Sequence, residues 1–294
     1  MIDLVGGPFA VIESDPGNVI QSLEIQLNNE IPGVFTSLTR RLGIRGLELI
    51  ELYDIEPWAT DHLSPRGLIF CFMWRKDAHR PTDFNDPAAD RVWFANQLSD
   101  DACATHAILN VVLNCPGVEL GEELRMFKEE TERMSPVIRG LAITNSPTIR
   151  QAHNSLARSE KAKAKGDEEE EEGAEETYHF IGYVPAFGKV WELDGLKSGP
   201  LEVGDPTSEW MSTVRPALRL KMSKYGASPT DSGSNIRFSL LAIVDGGYEG
   251  ASDEFELGKR ERVALERRLD ACQEGEGWRG MVCLFLLSFF LEGC

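Results

Sequence analysis

Cations are scarce in this chain of 294 residues: 30 Lys+Arg stand against 48 Asp+Glu, for a net charge of −18. Binding to a phosphate backbone or an anionic bilayer needs clustered positive charge. Nucleic acid and membrane surfaces are therefore excluded as partners, and a basic protein partner or substrate fits better. The six cysteines (71, 103, 115, 272, 283 and 294) contain no C-x-x-C pair. That argues against a disulfide framework, a zinc site and a redox-active dithiol. The start, "MIDLVGGPFAVIESD", has no basic stretch before an apolar run and does not read as a signal peptide. Near the other end, the apolar core Met281–Leu291 is 11 residues long, whereas a spanning helix needs ~20. The tail is expected to bind a partner or to aggregate, not to anchor in a membrane. These absences describe a reduced-thiol protein of the cytoplasm or nucleus, with no cofactor and no metal.

What is present is a mixture of strand and helix patterns without an internal repeat. "GLIFCFMW" (68–75) and "NIRFSLLAIV" (235–244) read as buried strands. Helical patterns cover 101–114 and the charged 121–134. No regular βαβ alternation appears, so the fold class is α/β of the α+β type, with a largely antiparallel sheet. Residues 158–177, "RSEKAKAKGDEEEEEGAEET", hold four cations and nine anions, so this stretch contributes −5 and the remainder −13. Such a run cannot bury enough apolar surface to offset its ordering entropy, and a mobile loop is expected there. After about residue 250 the chain changes character: 253–273 reads as a charged helix, followed by the apolar tail.

The chemistry begins at "QLSDDACATHAILNVVLNC" (97–115). Asp100 or Asp101 is placed to cap a helix, which would put Cys103 in its first turn. There, free N–H groups and the positive end of the helix dipole favour a thiolate. On this stretch alone a buried packing cysteine is the slightly better account, and a base elsewhere has to decide. Among five histidines, His106 lies on the same helix and is expected to pack or cap. His62 and His79 sit in polar, loop-like sequence. His153 is a second choice, structural beside the mobile loop.

His179 has a neighbourhood that supplies an orienting carboxylate. "TYHFIGYVPAFGKVWELDGL" (177–196) reads as two strands joined by a four-residue turn, Pro185–Gly188. With Val184 opposite Lys189, His179 would face Asp194 directly, within cross-strand hydrogen-bonding reach. The carboxylate would fix the imidazole tautomer and stabilise the imidazolium formed when it takes a thiol proton. Gln97, six residues before the cysteine, could donate its amide to a developing oxyanion beside the Cys103 backbone N–H. A lone glutamine says little, but the set Gln–Cys–His–Asp in this chain order says much more.

On these residues the chain resembles the ubiquitin C-terminal hydrolases. The nucleophile signature of that family stands here as "WFANQLSDDACATHAILNVVLNC". The pieces "ESDPG", "VFTSL", "RGLEL", "GLIFCFMW", "RGLAITNSPTIRQAHNSLAR", "YHFIGYVP", "ELDGLKSGP" and "RFSLLAIV" resemble its longer-chain branch, with the proteasome-associated and BRCA1-associated members. The resemblance covers roughly residues 9–250. It implies a papain-like cysteine-protease fold, with Gln97 in the oxyanion hole, Cys103 as nucleophile, His179 as base and Asp194 as orienting acid. The implied activity is a thiol-dependent deubiquitinase acting on ubiquitin and its conjugates. The alternative is a catalytically impaired ubiquitin-binding scaffold. It also implies a crossover loop over the active site, here about 150–177, and docking on a proteasomal or chromatin-complex subunit.

Two segments depart from the family pattern. Residues 18–33, "NVIQSLEIQLNNEIPG", intervene between "ESDPG" and "VFT" and read as a splice-derived insertion bulging from the surface. Residues 274–294 do not resemble the helical extension of the longer branch and read as translated non-coding sequence. The expected organisation is thus a catalytic domain over 1–250 followed by an atypical 251–294.

Overall fold

A computed structural model describes residue 9 and residues 30–73, 87–156, 178–206, 209–225, 238–247 and 258–267. The chain divides into two units, Met1–Asp245 and Gly246–Cys294. In the second, residues 258–267 are helical, within the stretch expected to form a charged helix. The apolar tail and the acidic run 158–177 lie outside the described residues, as do 18–29 of the expected insertion. Its last four residues, from Glu30, instead open the first helix.

Among its described residues the first unit holds six strands: β1 (Leu47–Glu51), β2 (Gly67–Met73), β3 (Tyr178–Ala186), β4 (Lys189–Leu193), β5 (Leu201–Gly204) and β6 (Phe238–Asp245). Their order across the sheet is β1-β6-β2-β3-β4-β5, and each neighbouring pair is antiparallel. Among the same residues the α-helices are α1 (Glu30–Arg41), α2 (Pro57–Thr60), α3 (Cys103–Val112), α4 (Glu122–Thr131), α5 (Pro136–Asn145), α6 (Pro147–Asn154) and α7 (Trp210–Tyr225).

Strand periodicity sorts the core into two layers. In β2, Ile69 and Cys71 point into a cluster with Phe35 and Leu38 of α1 and Ala104, Ala107, Ile108 and Val111 of α3. Leu68, Phe70 and Phe72 point the other way, towards Met211, Val214 and Leu218 of α7. Both faces of the central strands are therefore covered, which is why β2 reads as a continuous apolar run instead of alternating with polar residues. The result is an α+β sandwich with helices on both sides of an antiparallel sheet.

Two glycines set how closely α3 lies on that sheet. A Cβ on Gly67 or on Gly182 would fall 2.3 Å from a methyl of Val111. Without side chains at these positions, the helix sinks onto β2 and β3 at the level of Val111. On the opposite face, buried Arg215 of α7 donates to the Ile55 carbonyl at 2.7 Å and the Thr60 hydroxyl at 2.8 Å, and also pairs with Asp61. These bonds fasten α7 to the α2 corner.

The β3–β4 hairpin differs from the sequence expectation. Val184 pairs with Trp191, not with Lys189, and β3 runs through Pro185 to Ala186. The connection is only Phe187–Gly188, with φ of +53° and +79°. Two successive positive φ values mark a type I′ turn, the geometry whose twist matches the strands it joins. Glycine adopts this conformation freely, whereas phenylalanine does so at a cost. Phe187 is held there under the Arg91 guanidinium, 4.9 Å from the ring centre.

Candidate active site

The altered hairpin register still brings His179 to Asp194. Moving the pairing by two residues leaves side-chain parity unchanged, so both groups remain on one face and meet diagonally instead of head-on. His179 Nε2 lies 2.8 Å from Asp194 Oδ1, and both residues are buried, at 4% and 8% exposure. Asp194 sits one residue past the end of β4. Its Oδ1 also accepts the Leu196 N–H at 3.0 Å, and its carbonyl accepts the Lys197 N–H at 2.9 Å. The carboxylate is thus held by a tight turn and not by the ladder. Burial pushes the Asp194 carboxyl up. The His179 hydrogen bond and charge, the Leu196 N–H and Lys197 together outweigh burial and leave it below its ordinary value. An ionised Asp194 bonded to Nε2–H leaves Nδ1 as the nitrogen able to take a proton.

Cys103 is the first residue of α3 and is half-buried at the edge of the core. One helical turn further on, the Ala107 carbonyl lies 3.6 Å from the Cβ position of Gly182 in β3, three residues from His179. The expected aspartate cap is corrected. A 3-10 turn, Asp100–Ala102, precedes the helix, Ala102 occupies the N-cap position, and it makes no side-chain cap. An alanine cannot accept the first-turn amides. The N-cap side chain therefore occupies none of these donors.

Gln97 is fixed relative to both groups by the backbone. Its N–H donates to the Gly195 carbonyl at 2.9 Å, and Asn96 Nδ2 donates to the carbonyls of Gly195 and Lys197 at 3.2 and 2.6 Å. The glutamine segment is therefore bolted to the turn that carries Asp194. On its other side, Asn110 of α3 and Asn114, just past the end of that helix, grip the extended run leading to it. Asn110 bonds both the N–H and the carbonyl of Ala95, at 2.8 and 3.1 Å. Asn114 does the same for Trp93, at 2.8 and 2.7 Å. Arg139 of α5 adds bonds to the Val92 and Phe94 carbonyls at 3.4 and 3.2 Å. These positioning residues were missed in the sequence, although Asn110 and Asn114, four apart in an apolar stretch, are a readable signal.

The other histidines have different surroundings. His62 is exposed, and His79 lies outside the described residues. His153 of α6 is fully buried, with Nδ1 2.7 Å from the Thr105 hydroxyl of α3 and its ring edge-on to Phe9. His106 is fully buried with neither ring nitrogen hydrogen-bonded. Burial, helped by His153, pushes its pKa down to about 3, so it packs as a neutral ring. The second cysteine of α3's neighbourhood, Cys115, bonds the Arg66 and Val111 carbonyls, and burial pushes its thiol up to about 12 despite Arg66 and Lys128. Its thiol is therefore held protonated near neutral pH. Of the expected crossover stretch, 150–154 belongs to α6, and 157–177 lies outside the described residues. Among the described residues, no cluster of His, Cys, Asp and Glu could hold a metal, and no helix is long and apolar enough to cross a membrane.

Residues 25–223 match the family described as ubiquitin carboxyl-terminal hydrolase, family 1. The chain is 36% identical over 251 residues to ubiquitin carboxyl-terminal hydrolase isozyme L5 of Dictyostelium discoideum, covering 84% of this chain and 69% of that protein. It is 35% identical to ubiquitin carboxyl-terminal hydrolase BAP1 of Xenopus laevis, covering 78% of this chain but 35% of the relative. The solved catalytic domain of Trichinella spiralis UCH37, bound to ubiquitin vinyl methyl ester, superposes with a TM-score of 0.65 at 31% identity. That likeness covers 83% of this chain and 99% of the other.

Proposed function

This chain belongs to ubiquitin carboxyl-terminal hydrolase family 1, and on that premise we propose that Gln97, Cys103, His179 and Asp194 hydrolyse the bond after the C-terminal glycine of ubiquitin. The protein is a cysteine-type deubiquitinase. The Cys103 thiolate attacks the glycine carbonyl, His179 takes the thiol proton through Nδ1, and the Gln97 amide with the Cys103 N–H holds the oxyanion. His179 then protonates the leaving amine, and water, activated by the same imidazole, cleaves the thioester. Asp194 keeps the imidazole in the tautomer that both steps need.

The observation that carries this assignment is the buried 2.8 Å bond between His179 and Asp194, on the turn to which the Gln97 segment is fastened. Ubiquitin vinyl methyl ester tests it, by analogy with the probe on the Trichinella relative. Covalent capture that disappears on Cys103→Ala, with turnover falling about 10²–10⁴-fold on Asp194→Asn, is the expected result. Binding without capture would leave a ubiquitin-binding scaffold instead. The proposal includes cytoplasmic and nuclear residence and docking on a proteasomal or chromatin-complex subunit. Isolating the tagged chain from fractionated cells, and identifying what accompanies it, tests both.

A further inference from the structure

Asp194 is flanked by a second buried carboxylate that hydrolysis itself does not require. Glu192 of β4 is 4% exposed, on the same face of the hairpin. Its Oε2 accepts the Tyr183 hydroxyl from β3 at 3.0 Å. Its Oε1 accepts two ammonium groups, Lys221 of α7 at 2.8 Å and Lys197 of the Asp194 turn at 3.2 Å. Lys197 also reaches the other way, with Nζ 4.0 Å from Asp194 Oδ2. Both lysine side chains are largely buried, at 14% and 18% exposure.

We propose that Lys197 and Glu192, braced from α7 by Lys221, are positioning residues that set the proton affinity of the His179–Asp194 pair. This rests on the assignment of His179 and Asp194 given above. The charged and titratable groups around the pair are Tyr183 from β3, Glu192 from β4, Lys197 from the turn and Lys221 from α7, and in the mechanism above the Cys103 thiol at the head of α3. With the imidazole neutral, the two carboxylates and two ammoniums cancel. Protonating His179 from solvent, with the Cys103 thiol neutral, makes the cluster +1, whereas transfer from the thiol leaves the total unchanged and separates the charges. In a water-poor site that excess charge is felt strongly, because solvent screens it weakly. Lys197 thus opposes the imidazolium and Glu192 supports it, and their mutual bond fixes the balance. Tyr225 at the end of α7 stacks on Phe72 at 4.1 Å, and Phe72 meets the His179 ring edge at 5.7 Å. One helix therefore backs the imidazole sterically through Phe72 and reaches Glu192 with a charge.

The two charges act with opposite sign, which makes the test independent of stability. The pH dependence of kcat/KM for a ubiquitin C-terminal amide is measured on the full chain and on Lys197→Met, Lys197→Arg and Glu192→Gln. Removing the cation should move the limb set by His179 to higher pH by about 0.5–1 unit. Removing the anion should move it by a similar amount to lower pH. Lys197→Arg should restore the wild-type limb. A purely structural role would lower kcat without these opposed displacements. If Lys197→Met loses its fold, Glu192→Gln, which keeps size and shape, carries the test alone. Limbs unmoved in the folded variants overturn the inference. Asp194→Asn in the same assay separates the two levels: if it cuts turnover while the limbs stay fixed in the others, only this inference falls, whereas an unchanged Asp194→Asn enzyme removes the underlying assignment.

Discussion

Gly195 joins the two halves of the site, and Gly195→Ala should loosen them. A Cβ there would lie 2.9 Å from the Gln97 Cβ and 3.2 Å from its N. Ordinary contact for such an atom begins at 3.4 Å, and the obstacle is the backbone and first side-chain carbon of Gln97, which cannot swing aside. The two segments must therefore part by about 0.5 Å. The Gln97 N–H···O=C Gly195 bond, now 2.9 Å, would stretch past the usual limit of about 3.2 Å. The Asn96 Nδ2 bond to the same carbonyl, at 3.2 Å, has no slack. Overpacking of this kind typically costs ~1–3 kcal/mol of stability. A displacement of ~1 Å at reacting groups can cost about 100-fold in rate, so half that distance should cost about tenfold in kcat. The assay is turnover of a fluorogenic ubiquitin amide beside urea unfolding of the same preparations. A variant with kcat within about twofold of wild type and an unmoved midpoint would refute the claim that this close approach sets the oxyanion geometry.

Further outcomes follow from the packing. Gly182→Ala places a methyl 2.3 Å from Val111 and should destabilise the fold by about 1–3 kcal/mol. Adding Val111→Ala removes the clash, so a double-mutant cycle in urea should show favourable coupling, and strict additivity would contradict it. His106 must be charged in the unfolded chain below its ordinary pKa of 6.5, but stays neutral in the fold down to about 3. The unfolded state then binds the extra proton, so stability falls as pH drops from 6.5 towards 3, by up to ~1.4 kcal/mol per unit. His106→Leu should flatten that slope, worth ~2 kcal/mol at pH 5 relative to pH 7. Equal slopes in the two proteins would show that the ring is hydrated in the native state.

The sequence made some parts of this molecule readable and hid others for identifiable reasons. β2 and β6 announce themselves because strands covered on both faces must be apolar throughout. The helix headed by Cys103 was readable from its apolar run, but its start was not. "SDD" offers cap side chains, and whether the chain enters through a capped turn or a 3-10 turn depends on where Gln97 is anchored. The hairpin was legible as a hairpin, yet its turn was misplaced. Pro185 looks like a strand terminator, and Phe-Gly is a poor I′ signal until Arg91, distant in sequence, is seen stacked on the phenylalanine. His179 and Asp194 nevertheless met, because the error was an even number of residues. The Glu192 network was invisible, since Lys221 lies 29 residues away on the far side of a strand and a helix, and no local spacing encodes that approach.

The order of the sheet has a consequence for how the protein is made. β6, formed by residues 238–245, lies between β1 and β2, so the latest of the six strands to leave the ribosome fills a gap between the two earliest. Until it arrives, a growing chain exposes two apolar ribbons with open hydrogen-bonding edges, the condition under which nascent polypeptides stick to one another. Translation arrested between Cys103 and β6 would yield a polypeptide carrying that thiol but with no finished scaffold beneath it, a product for chaperones and degradation.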